Sequence, residues 1–180
     1  MKKRTKFIIV LAIIALAAAS RLVKHPFNFT PVVAMAIFAG CYLKKYWAVL
    51  LPLVAMLVSD YIIGFYDAAV MASVYVSIAL AFYIGWFLQK KVKWFTVIGA
   101  ALASSVVFFI LTNFAVWAFF DWYAHSWQGL VSCFTLSIPF FRNTLVGDVV
   151  YTGAFFGAYE LVLYFSTRRE LKAEQIIEGI

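Results

Sequence analysis

At 180 residues, 66% of them hydrophobic and 19% aromatic, with a mean hydropathy of +0.94, the chain lies outside the range of soluble domains. Its net charge of +7 does not mark a nucleic-acid partner, because the lysines and arginines stand in short clusters between apolar runs, where they read as topology signals. The expectation is an all-α integral membrane protein: a single transmembrane domain over residues 1–180, built as a compact bundle of about six helices, since each crossing takes roughly 20 residues.

The first predicted helix, 6–20, follows the basic start MKKRTK and runs through FIIVLAIIALAAAS. A cleaved signal peptide opens in the same way, and that alternative stays open here. Ala15 and Ala19 share one face, with Ala12 a turn earlier. Small residues so spaced let another helix approach closely, which serves either packing within the bundle or docking of a partner. Residues 21–31, RLVKHPFNFTP, hold two prolines and predict an ordered or re-entrant loop. The second helix, 31–43, is short for a crossing.

A third helix, 46–65, contains Pro52 as an expected kink and carries Ser59 and Asp60 near its end. The fourth and fifth, 68–89 and 94–119, flank the basic turn of Lys90, Lys91 and Lys93. Ser104, Ser105, Thr112 and Asn113 on the fifth predict hydrogen bonds to neighbouring helices. The segment 127–139, entered through WYAHSWQG and ending at Pro139, reads as a re-entrant or interfacial piece. The last helix is expected over 143–165, before a solvated amphipathic tail.

Six crossings with both termini cytoplasmic place Lys2, Lys3, Arg4, Lys6, Lys44, Lys45, Lys90, Lys91, Lys93, Arg168, Arg169 and Lys172 inside. These are twelve of the 15 basic residues, as the positive-inside rule requires. The prediction is a multi-pass protein of the bacterial cytoplasmic (inner) membrane. The same topology draws Arg21, His25, Asn28, Asp60, Asn113, His125, Arg142, Asn143 and Asp148 to the outer half of the bundle. Aromatic residues share that level, among them Phe27, Tyr61, Tyr66, Trp122, Trp127, Phe140 and Phe141. They read as a belt at the headgroups or as the walls of a small-molecule pocket, in which a few placed polar groups fix the ligand.

Each polar residue has a plainer role open to it. Arg142 and Asp148 form an internal ion pair in one reading, Asp60 is a solvated helix end, and His25 bonds within its loop rather than to a metal. Asp148 and Glu160 stand about 18 Å apart along a helix, too far for an acid and base pair. The sequence has no HExxH, paired-cysteine motif or P-loop, so the expectation is no enzyme, no catalytic residue, no metal and no cofactor. Cys41 and Cys133 fall toward opposite ends, which argues against a disulfide.

Four stretches, RLVKHPFNFTPVVAMAIFAG, LLPLVAMLVSD, LTNFAVW and IPFFRNTLVGDVVYT, together resemble a family of bacterial membrane proteins assigned to transport. That family is similar to the substrate-binding S components of energy-coupling factor (ECF) vitamin transporters, and the resemblance covers nearly the whole chain. It implies an S-component-like bundle that binds a vitamin or similar micronutrient, cobalamin first, in an outward-facing pocket. It implies a transmembrane coupling protein joined to ATPases as partner, docked at Ala15 and Ala19. Asn28, Asp60, Asn113, Arg142, Asn143 and Asp148 would line or brace the substrate pocket. The competing reading is a non-transport accessory or structural subunit of a larger membrane protein complex.

Overall fold

Long apolar runs leave the backbone few side-chain partners, and helices satisfy it within each run. The computed structural model describes residues 3–23, 26, 28–44, 46–89 and 91–178, and over them the chain is all-α. Six α-helices follow in order: α1 (Lys3–Ser20), α2 (Val32–Tyr42), α3 (Leu50–Ile63), α4 (Ala68–Phe87), α5 (Trp94–Phe119) and α6 (Trp127–Glu178), with a 3-10 turn at Tyr46–Val49 before α3. His25, Phe27 and the basic residues Lys2, Lys24, Lys45 and Lys90 lie outside the described residues.

The bundle is organised around α2. Every residue from Val32 to Cys41 is buried, and α2 packs against each of the other five helices. Its sequence, VVAMAIFAGC, has no polar face to offer water, and a helix that is apolar all round needs cover all round. The closest neighbour is α4, because glycines meet where the two helices cross. A Cβ on Gly40 would stand 2.1 Å from the Phe82 carbonyl oxygen, and one on Gly85 would stand 2.3 Å from that of Ile37. Beyond the crossing, Gln89 Nε2 donates to the carbonyls of Gly40 and Leu43 at 2.9 Å each, which satisfies groups that the end of α2 leaves open.

On its other side α2 meets α6 through rings. Phe38, fully buried, has Phe156 at 5.2 Å and Tyr159 at 5.7 Å between centroids, both edge-on. Such pairs add to simple area burial.

Local chemistry sets the ends of the elements. Gly64, at φ +115°, stops α3 in a conformation that favours glycine. Asp67 starts α4 by accepting from the backbone N–H of Ala69 at 2.8 Å and of Val70 at 3.2 Å, an N-cap. Pro52 is not a mid-helix kink, a correction to the sequence reading: α3 begins at Leu50, so Pro52 sits in the first turn, where a missing N–H costs nothing.

A second correction concerns the C-terminal third. Residues 127–139 and 143–165 are not a separate interfacial piece and a helix; α6 is one helix of 52 residues that runs through Pro139. A proline removes one helical hydrogen bond, and packing on both sides of it holds the helix together. Phe109 of α5 meets Phe134 at 5.5 Å and stacks on Phe141 at 4.4 Å. Among the described residues, Ala68–Phe87, Trp94–Phe119 and Trp127–Arg168 are long and apolar enough to cross a membrane, while Val32–Tyr42 and Leu50–Ile63 are shorter apolar helices.

Candidate functional site

Two buried carboxylates mark one end of the bundle. Asp60, 1% exposed on α3, is tied from two directions. Arg21, just past the end of α1, donates from Nη2 to Asp60 Oδ1 at 2.8 Å, and Tyr75 of α4 donates to Asp60 Oδ2 at 3.0 Å. The other guanidinium nitrogen of Arg21 bonds to Ser59 Oγ and to the Met56 carbonyl. A buried charge persists only when it is paired and its remaining valences are met, and here three helices are stitched together by meeting them.

Asp148, 2% exposed on α6, is held more sparsely. Ser105 of α5 donates to its Oδ2 at 2.6 Å, and among the described residues no cation forms an ion pair with it. Thr144 and Thr152, one turn to either side, are buried with it, so this face of α6 is a polar stripe turned into the bundle. The Thr152 Oγ1 and the Ser104 Oγ across the interface are buried without a partner among the described residues. Gly147 lets the loop before α2 close over this stripe: a Cβ there would stand 3.2 Å from the Phe29 ring.

Between these groups lie two adjoining chambers. The larger, about 290 Å³, is walled by Val74, Phe108, Phe109 and Phe141, with Asn113 and Thr144 among its polar groups. The smaller, about 150 Å³, contains Arg21, Thr30, Tyr66 and Asp148 in its lining. Asn28, Val74, Phe108 and Thr144 line both. Asn28 stands at φ +60°, a backbone region that asparagine tolerates better than most residues. Burial, and behind it the Asp60 carboxylate, pushes the Tyr66 hydroxyl up to about 12, so near neutral pH it remains a hydrogen-bond donor.

A larger cavity, about 800 Å³, opens at the opposite end of the bundle among Lys6, Tyr42, Lys44 and Glu160. Its lysines are exposed, and the Tyr42 hydroxyl reaches Glu160 there at 3.4 Å. Volume alone favours this cavity. The paired chambers are the better candidate because buried charge, amide groups and unshared ring faces converge there.

Of the residues singled out from sequence, Asn28, Asn113 and Asp148 line the chambers, and Asp60 braces them through Arg21. Arg142 and Asn143 are exposed on α6 and line neither chamber. No ion pair joins Arg142 to Asp148, because six residues turn a helix by roughly 240° and place the two on different faces. Ala15 and Ala19 are exposed; α1 packs inward through Val10, Ile14 and Ala17. His125 is exposed and rests on Trp117 at 5.9 Å. The aromatic residues divide: Tyr61, Trp122 and Trp127 are more than 70% exposed, whereas Tyr66, Phe140 and Phe141 line the chambers.

Sequence reasoning missed Thr144, Phe108 and Tyr75 as site residues and gave Arg21 no role beyond its level in the bundle. The i, i+4 spacing of Thr144, Asp148 and Thr152 was the readable signal for the first of these. Cys41 and Cys133 are free and buried.

No curated protein and no solved structure matches the chain. A family model does, over residues 1–172 and so across nearly the whole length; its description carries no activity and no link to ECF S components. The chain belongs to the family of unknown function DUF6580.

Proposed function

We propose that this chain is a multi-pass protein of the bacterial cytoplasmic membrane that binds a small organic micronutrient in an outward-facing pocket as a step in its uptake. The observation that carries the reading is the pair of adjoining chambers, in which Arg21, Asn28, Asn113, Thr144 and Asp148 meet apolar and aromatic walls. A few polar groups in an apolar concavity are the usual composition of a small-molecule site.

Membrane insertion is supported by three helices of spanning length. It is supported as well by outward side chains such as Phe87 and Trp94, 78% and 80% exposed, which water does not favour. The clustering of basic residues supports cytoplasmic termini, and the chambers then lie toward the outside. Chamber sizes of about 290 and 150 Å³ favour a compact solute over a corrinoid, so cobalamin recedes as the ligand. Energy for uptake would come from a partner, and the outward face of α1, with Ala12, Ala15 and Ala19 exposed, offers a close-packing surface for one of its helices.

Native mass spectrometry of the protein purified gently from its own membranes tests the reading. A retained small molecule that is lost in Asp148→Asn is the expected result. An empty protein in a fixed complex with other membrane subunits and no ATPases would replace transport with an accessory role.

A further inference from the structure

Arg21, Tyr66 and Asp148 are the titratable groups that line the two chambers among the described residues, and once Arg21 is paired with Asp60 behind the wall they carry one more acidic group than basic. Arg21 is committed to Asp60 by an ion pair at 2.8 Å, to Ser59 Oγ and to the Met56 carbonyl. Tyr66 is neutral. That leaves Asp148 as the acidic group of the site with no ion-pair partner among the described residues: buried, hydrogen-bonded by one hydroxyl, and open to the 150 Å³ chamber. A carboxylate withdrawn from water is stabilised by an opposite charge at short range, and among the described residues none forms an ion pair with it.

The adjoining chamber indicates the rest of the ligand. Phe109 and Phe141 are stacked on each other, but Phe108, which lines both chambers, has no ring partner among the described residues. A cavity of about 150 Å³ holds a benzene-sized molecule, so 290 Å³ has room for a fused flat ring. A ring face on Phe108 also favours a positive charge nearby.

We infer that the solute taken by this site is an aromatic organic cation, a flat ring bearing an ammonium or other protonated nitrogen, with the cation against Asp148 and the ring against Phe108. The inference rests on the binding function proposed above and deepens it by assigning the charge class of the ligand.

Four ring-matched probes separate the charge classes: tryptamine is a cation, indole is neutral, indole-3-acetate an anion and tryptophan a zwitterion. Equilibrium binding to the purified full chain near neutral pH is expected to rank tryptamine first, at least tenfold tighter than indole and indole-3-acetate, with tryptophan between. Asp148→Asn is expected to abolish the preference. Should that variant fail to fold, Phe108→Ala serves in its place, weakening all four probes at least threefold and keeping their order.

Equal binding of indole and tryptamine, tighter binding of indole-3-acetate, or no binding of any probe overturns the assignment. The broader reading fails separately, when mass spectrometry finds no retained solute and no probe binds. A retained anionic or neutral solute overturns the charge class and leaves the pocket standing.

Discussion

Asp60 and Asp148 are buried to the same degree and held in opposite ways, and their substitutions are expected to differ accordingly. Asp60→Asn leaves the Arg21 guanidinium without its counter-charge, and breaking a buried pair from one side costs about 3–5 kcal/mol. Tyr75→Phe removes only one bond to the same carboxylate and costs about 1 kcal/mol. Asp148→Asn keeps an acceptor for the Ser105 hydroxyl, and its cost is expected near or below about 1 kcal/mol. Denaturant unfolding in detergent orders the three; an Asp60→Asn protein as stable as the parent would remove the brace from the account. At this scale the sequence was legible in part. Asp60 and Asp148 stand out as charges in apolar runs. Arg142 stands out in the same way, yet only the helical phase, which the assumed break near residue 139 obscured, shows that it turns outward.

Among the elements, the α2–α4 crossing is the contact with least tolerance. Gly85→Ala would set a methyl group 2.3 Å from a backbone oxygen of α2, and a backbone carbonyl cannot swing aside as a side-chain tip does. Overpacking of this kind costs typically about 1–3 kcal/mol. The expected outcome is a lower unfolding temperature and reduced yield, with Gly99→Ala, where a Cβ meets nothing within 4 Å, as the neutral comparison. An all-helical chain of six helices was legible from the spacing of apolar runs and charged turns. The continuity of α6 was not. Pro139 and the polar entry WYAHSWQG are local signals for a break, whereas the Phe134 and Phe141 contacts to α5 that override them join residues about 30 positions apart in sequence, beyond any local pattern.

For the whole molecule, the proposed membrane reading carries a topological expectation. With the basic clusters held inside, a fluorescent protein fused to the C-terminus is expected to be bright and a periplasm-dependent phosphatase fused there inactive; the reverse pair of results would invert the bundle and turn the chambers inward. The short central helix has a wider consequence. Its 11 residues rise about 16 Å, roughly half of a hydrocarbon core of about 30 Å. Before Val32 the central column continues as loop, and there Arg21, Asn28 and Thr30 face the smaller chamber. A solute lodged above Val32 would act as the missing turns of that column, touching the helices that α2 no longer separates. Its occupancy would then be felt as stiffness of the entire bundle, with a gain of about 2.7 kcal/mol at a hundredfold excess over Kd, rather than as the closing of a local lid.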